Sequence, residues 1–219
     1  RGFEVTFWRS AFNLLALGLY LGLKRGRVVQ RQILEGGRAL WVSGLMWCVM
    51  FTCFMLALTL TTAANVLITM SVAPLITAVL AHFMLGHAVG RRTWVAIALA
   101  GVGIGWMYSA GFDGNPKQLI GTAVAMCVPL AGAINWNLSQ RAGHRIDLVP
   151  AVLIGAALSS LLTLPLSWPM QASPHDVAWL ALLGVFQLAI PCILAVRAAR
   201  VLPAPEMSLL ALLESVFGI

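Results

Sequence analysis

Charged residues are scarce in this sequence. Only 10% of its 219 residues are Asp, Glu, Lys or Arg, whereas 60% are hydrophobic. A soluble domain carries roughly 25% charged residues, and a soluble core could not hide this much apolar surface. The composition therefore excludes an ordinary soluble protein and indicates a chain whose solvent is lipid.

The sequence also lacks the motifs of catalysis and metal binding. It contains no HExxH, no GxSxG and no phosphate-binding glycine loop. Its four cysteines (Cys48, Cys53, Cys127 and Cys192) lie in apolar runs, at spacings that suit neither zinc nor a disulfide framework. We therefore expect no enzyme, no metal and no cofactor. Because intramembrane enzymes can have short signatures, an intramembrane lipid-modifying enzyme or a structural membrane protein stays as the alternative.

Long apolar runs make up most of the chain. A helix needs about 20 apolar residues to cross the hydrocarbon core, and eight such runs are separated by polar or Gly/Pro-rich stretches. The predicted spans are 5–23, 39–60, 63–85, 93–110, 118–140, 148–169, 177–198 and 204–219. The predicted fold class is an all-α integral membrane bundle.

The formal net charge of +7 is concentrated in alternate loops. Basic residues cluster at 24–38, 91–92, 141–145 and 197–200, whereas the loops between these carry few. Because Lys and Arg are enriched in cytoplasmic loops, we predict that these four segments face the cytoplasm. The positive charge is therefore a topology signal, and no nucleic-acid partner is expected.

The order of spans and breaks repeats along the chain. Residues 66–77 align with residues 207–218 at an offset of 141 residues. At roughly 28 residues for a span and its loop, this offset holds about five spans, and an odd number inverts the second copy in the membrane. Two copies make ten spans, of which we expect the first and the last to be missing. The first repeat is predicted at 1–112 and the second at 113–219.

Three stretches carry a resemblance to a known family. ANVLITMSVAPLITAVLAHFMLGHAVGRRTWVAIALAGVGIGWMYS resembles the end of the first repeat in the EamA-like branch of the drug/metabolite transporter superfamily. FWRSAF resembles the second helix of that family, which often carries an Arg near its outer end. LLALLESVFG resembles the fourth helix of its second repeat.

This resemblance implies a secondary transporter of small organic metabolites, either amino-acid-like or drug-like solutes. Its members work by alternating access around a site between the two repeats. For this chain the resemblance implies a multi-pass protein of the inner membrane that exports its substrate. Coupling to protons and assembly as a homodimer are left open.

Six residues are candidates for the substrate or proton pathway, because the spans place polar or helix-breaking groups inside the membrane. They are Glu214, Arg9, Asn65, Pro74, Gln187 and Asn13. Glu214 lies about ten residues into its span, where a charged side chain costs roughly 2.5–3.5 kcal/mol on insertion scales. It is either a proton-coupled or substrate-contacting group, or a structural acid that donates a hydrogen bond.

Pro74 and Arg9 each allow two interpretations. Pro74 removes a helical hydrogen bond near mid-membrane, which indicates either a plain kink or a carbonyl that lines a cavity. Arg9 is either an anchor that extends to the interface or a positive charge that attracts an anionic group from the external side.

The amide side chains divide by depth along their spans. Asn65 and Gln187 are predicted to contact a solute, and Asn13 lies deep in the first span. Asn135 and Asn137 lie close to the predicted cytoplasmic end of their span, where we expect water to reach them.

We expect Glu214→Gln to abolish the coupling of transport to a pH gradient, because an amide cannot release a proton. The measurement is transport in proteoliposomes with and without the gradient. If Glu214 only braces the bundle, the variant is nearly silent, since an amide can replace the hydrogen bonds of a neutral acid. Wild-type transport with wild-type pH dependence would reject the functional interpretation.

Overall fold

The structure is a computed structural model. It describes residues 2–86, 91, 94–95, 98–99, 101–102, 105–106, 116–143 and 146–217, except for the side chains of residues 27 and 212–217. Every regular element within these residues is helical, and this part of the chain contains no strand. The predicted all-α class is therefore confirmed.

The helices are numbered here in chain order. Their bounds are α1 (Gly2–Arg25), α2 (Arg27–Glu35), α3 (Gly37–Leu60), α4 (Ala63–Met70), α5 (Ala73–Leu85), α6 (Pro116–Ala142), α7 (Val149–Thr163), α8 (Pro174–Leu182), α9 (Ile190–Ala198) and α10 (Ala204–Phe217). A π-helical segment, Leu183–Ala189, joins α8 to α9 without a break. The described residues between 91 and 106 are also helical.

The helices follow the predicted order of spans. Four of them, within the described residues, are long and apolar enough to cross a membrane: Gly37–Leu60, Ala63–Leu85, Pro116–Ala142 and Pro174–Ala198. They match predicted spans to within a few residues. The helix α7 is shorter than its predicted span of 148–169, because it ends at Thr163 and the chain then enters a 3-10 turn at Pro165–Ser167.

Two of the long helices have a proline next to an irregular segment. The break between α4 and α5 falls at Ser71 and Val72, and Pro74 lies in the first turn of α5. Pro191 lies in the first turn of α9, directly after the π-helical segment. Because proline has no N–H, it cannot donate to the carbonyl four residues earlier, which is Met70 in one case and Gln187 in the other.

Helix α3 packs most extensively, against α6 and α7. Two glycines allow α3 and α7 to approach closely. A Cβ on Gly155 would overlap Trp47 and lie 2.9 Å from the Gly44 carbonyl oxygen, and a Cβ on Gly44 would lie 2.7 Å from Ile154 Cγ2. Small residues at a helix crossing favour this contact where no hydrophobic force drives association.

The largest core lies at the end of the bundle that is predicted to face the cytoplasm. Leu17, Leu21, Leu40, Leu148 and Val152 are all buried there and belong to one cluster. They come from the last turns of α1, the first turns of α3 and α7, and Leu148 directly before α7. In the described part of the chain, this end of the bundle is therefore closed by apolar packing.

We expect Gly155→Ala to lower the free energy of unfolding by about 1–3 kcal/mol, because overpacking shifts neighbouring side chains and backbone. Gly22→Ala is the matched control, since a Cβ there meets no atom within 4 Å. The measurement is thermal or denaturant unfolding of the purified protein in detergent. Equal stability of the two variants would contradict the close approach of α3 and α7.

Candidate functional site

A cavity of about 440 Å³ lies inside the bundle. Residues of α1, α3, α4, α5, α6, α9, α10 and the π-helical segment line it, so both predicted repeats contribute to its wall. Most of the lining is apolar and adaptable. The aromatic and methionine side chains in the wall are Trp47, Phe51, Phe54, Trp136, Met50, Met55, Met70 and Met207.

Arg9 carries the only formal charge among the described lining residues. Arg9 is only 8% exposed, although one side of α1 is expected to face lipid. The Nη2 group donates to Gln187 Oε1 at 3.1 Å, and Nη1 contacts Met55 Sδ. The guanidinium is therefore directed into the bundle.

The π-helical segment positions Gln187 beside α1. Gly184, one turn before Gln187, contacts the α1 backbone so closely that a Cβ would lie 2.8 Å from the Arg9 carbonyl oxygen and 3.2 Å from the Asn13 nitrogen. Single π-helical turns are frequent at functional sites. Here the glycine and the wider helical turn bring Gln187 within hydrogen-bond distance of Arg9.

Three hydroxyl groups form a chain behind the cavity wall. Ser10, which lines the cavity, lies with its Oγ 3.0 Å from Ser159 Oγ, and Ser159 Oγ lies 3.0 Å from Thr52 Oγ1. The chain joins α1, α7 and α3. Because a hydroxyl both donates and accepts, this arrangement satisfies polar groups that could not otherwise be buried in lipid.

Two tryptophans that line the cavity contact each other on the side nearest the buried core. Trp47 of α3 and Trp136 of α6 pack edge to face, with ring centroids 5.8 Å apart and planes at 86°. Both are buried and belong to the large core cluster. The cavity is therefore separated from the predicted cytoplasmic end by aromatic and aliphatic packing.

An ionic cluster lies at that end and joins three parts of the chain. The Asp147 carboxylate pairs with Arg25 at the end of α1 and with Arg200 in the loop between α9 and α10. It also accepts a hydrogen bond from the Val149 N–H at 3.0 Å. Burial, followed by the charge of nearby Arg25, lowers the pKa of Arg200 from its usual value. We call Asp147, Arg25 and Arg200 the inner cluster.

A second polar contact joins two segments at the opposite end. Glu4 is buried, and its Oε1 accepts hydrogen bonds from the backbone N–H groups of Gln171 and Ala172, both at 2.7 Å. A carboxylate that accepts two backbone N–H bonds makes charge-assisted hydrogen bonds. Glu4 therefore holds the loop between α7 and α8 against the start of α1, and we call this contact the outer latch.

The structure brings some of the predicted site residues together. Arg9 and Gln187 both line the cavity and bond to each other. Pro74 itself is not among the described lining residues, but its neighbour Ala73 is. Asn13 lies one turn beyond Arg9, is fully buried, and its amide N and O have no hydrogen-bond partner among the described residues.

Two further candidates lie elsewhere. Asn65 lies at the start of α4, where its N–H bonds to Thr62 Oγ1 at 3.3 Å and its amide nitrogen donates to Thr61 Oγ1 at 3.1 Å. The structure thus assigns Asn65 to the helix start, and the described lining of the cavity does not include it. The side chain of Glu214 lies outside the described part of the structure.

The expectation that water reaches Asn135 and Asn137 is wrong. Both side chains are fully buried. Asn135 Oδ1 accepts from Ser43 Oγ at 2.6 Å, and Asn137 Nδ2 donates to the Thr77 carbonyl at 3.1 Å. These asparagines form interhelical hydrogen bonds, because a neighbouring helix rather than solvent supplies their partners.

Glu4 and Asp147 are the main residues that the sequence reasoning missed. Asp147 follows a strongly basic loop, and an acid among so many cations is a signal that could have marked it. Glu4 lies near the start of the first apolar run, and nothing in the sequence indicates that its partners are the N–H groups of residues 171 and 172.

Comparison with known proteins agrees with this architecture. Residues 2–109 match the family model of the EamA-like transporter family. The resemblance noted from the sequence is confirmed for this region. The family's members are multi-pass membrane transporters of small solutes rather than enzymes. No curated protein matches the chain.

Proposed function

We propose that this chain, whose residues 2–109 match the EamA-like transporter family, exports small organic carboxylates with an apolar body across the inner membrane. Aromatic or sulfur-containing amino acids are the type of solute in question. The observation that carries the proposal is a buried arginine in the wall of a cavity whose other described lining residues are apolar or neutral.

Arg9 is the group that recognises the carboxylate. A guanidinium presents a planar fork of donors that matches a carboxylate, and such charge-assisted bonds are roughly twice as strong as neutral ones. Gln187 holds one side of the fork through its Oε1. The hydrogen bond fixes the orientation of the guanidinium before the solute arrives, which reduces the entropy lost on binding.

The wall selects the rest of the solute. Pockets for small molecules measure roughly 300–1,000 Å³, and a cavity of about 440 Å³ falls within that range. Aromatic rings offer large rigid contact areas, whereas methionines adapt their shape to different ligands. A wall with both favours a family of related apolar side chains rather than one solute.

Alternating access would use the two ends of the bundle in turn. The inner cluster and the outer latch both involve α1, at opposite ends of that helix. The inner end is also closed by the large core. Opening toward the cytoplasm requires the inner cluster to separate, and the halves that would move are residues 1–112 and 113–219.

Glu214 is proposed as the group that couples transport to protons. In the sequence it follows Met207, Leu210 and Ala211 by seven, four and three residues, which is the spacing of one helix face. Those three residues line the cavity. Pro74 and Asn13 would complete the pathway. Pro74 leaves a backbone carbonyl without its helical donor, and the Asn13 amide, which has no partner among the described residues, can bind a water molecule. Asn65 stays a candidate for the substrate or proton pathway, and a homodimer is compatible with this scheme.

We expect Arg9→Gln to weaken transport of carboxylated solutes about tenfold to a hundredfold, because a hydrogen bond to a charged group contributes roughly 1.5–3 kcal/mol. The measurement is concentration-dependent transport by the full protein in proteoliposomes, across a panel of amino acids and their neutral esters. Arg9→Lys keeps the charge but loses the fork, and is expected to recover only part of the loss.

The control for this experiment is Arg38→Gln, which removes an exposed cation outside the cavity. It should transport like the wild type. Equal losses for carboxylates and neutral esters in Arg9→Gln would mean that Arg9 only supports the bundle. Unchanged transport of carboxylates would reject its role in recognition.

We expect Asp147→Asn to increase access to the cavity from the cytoplasmic side about tenfold, the effect of losing roughly 1.4 kcal/mol of closed-state stability. Glu4→Ala should increase access from the external side instead. The measurement is the rate at which a membrane-impermeant maleimide labels Cys192, a lining residue, with the other cysteines replaced by Ser.

Vesicles of both orientations are needed, because the two variants are expected to differ in the side from which labelling accelerates. Glu35→Gln is the matched control, since Glu35 forms an exposed ion pair with Arg31 at 2.8 Å that includes no residue of the inner cluster or the outer latch. Identical labelling rates in all variants, or acceleration from the wrong side, would exclude this gating scheme.

A further inference from the structure

Two cations meet around one tyrosine on the outer surface of the bundle. Arg197 of α9 donates from Nη2 to the Tyr20 hydroxyl of α1 at 2.7 Å. Lys24, one turn beyond Tyr20, holds its Nζ 5.3 Å from the centre of the Tyr20 ring. Both cations are exposed, and both lie in segments predicted to face the cytoplasm.

These cations have no carboxylate partner within the described residues. The ion pairs of that part of the chain join Arg25 and Arg200 to Asp147, and Arg31 to Glu35. Lys24 and Arg197 therefore hold two positive charges close to one phenol, and neither cation pairs with an acid of the described residues. This arrangement favours an anion from outside the protein.

An exposed apolar surface continues from the cations toward the middle of the membrane. On α9, Leu194 and Ile190 lie about one and two turns before Arg197, and they are 59% and 44% exposed. On α1, the neighbouring Leu19 and Leu23 are also exposed. The surface thus has a charged end at the cytoplasmic boundary and an apolar length within the hydrocarbon.

We propose that Lys24, Tyr20 and Arg197 form a binding site for the phosphate of an anionic glycerophospholipid of the cytoplasmic leaflet. The phosphate accepts hydrogen bonds from Arg197 and Lys24, and an acyl chain lies along Leu194 and Ile190. A free phosphate would use the cations but not the apolar surface, so that surface favours the lipid. Basic pockets between helices on the cytoplasmic side bind such headgroups.

The test titrates the full protein in detergent with phosphatidylglycerol and measures bound lipid by native mass spectrometry. Phosphatidylcholine and inorganic phosphate are titrated in parallel. We expect phosphatidylglycerol to bind in preference to both. Each Lys or Arg near an anionic surface contributes roughly a fivefold change in affinity, so Lys24→Gln with Arg197→Gln should weaken binding about 25-fold.

Arg31→Gln is the matched control, because it removes an exposed cation that already has a carboxylate partner. It should leave the affinity for phosphatidylglycerol unchanged. Because the replaced side chains are exposed, the variants should keep the circular dichroism and elution volume of the wild type. Equal binding of phosphatidylcholine, equal binding of inorganic phosphate, or wild-type affinity in the double variant would each overturn the proposal.

Discussion

A guanidinium inside a membrane bundle must find its polar partners within the protein, and this requirement governs much of the site. Arg9 is buried in the wall of the cavity, where lipid offers no hydrogen bonds and an uncompensated charge is costly. Gln187 supplies one acceptor. It can do so because the helix that carries it widens into a π-helical turn and presents Gly184 to α1. The π-helical turn and Gly184 therefore both serve to place an acceptor beside the buried charge of Arg9.

The same constraint explains why so many buried polar side chains tie helices together. In hydrocarbon, each backbone or side-chain polar group that lacks a partner destabilises the fold. The Ser10–Ser159–Thr52 chain and the Asn137 contact with Thr77 each join separate helices. Such hydrogen bonds specify which helices pack together, because apolar helix surfaces in lipid do not by themselves select one neighbour over another. They also leave the cavity wall free to be mainly aromatic and aliphatic.

Much of the fold follows from hydropathy, because a span needs a minimum apolar length and polar segments must lie outside the hydrocarbon. For that reason the runs at 39–60 and 118–140 predict α3 and α6 closely. Depth within a span is a poorer guide to contacts. Asn137 lies near the end of its span, as expected, yet it is fully buried. Asn65 bonds locally to the Thr61 and Thr62 side chains. Sequence spacing gives the height of a residue but not which neighbour faces it.

The sequence by itself determined the all-helical membrane class, the positions of most spans and the family of residues 2–109, since these depend on composition and order along the chain. It also marked Arg9 and Gln187, because polar groups within apolar runs are conspicuous. Only the tertiary structure decided that these two residues bond to each other across 178 positions. It alone brought Asp147 to Arg25 and Arg200, and Glu4 to residues 171 and 172. Such pairings depend on how the helices rotate and cross, which is set by close packing at sites such as Gly44 and Gly155 and not by any local pattern.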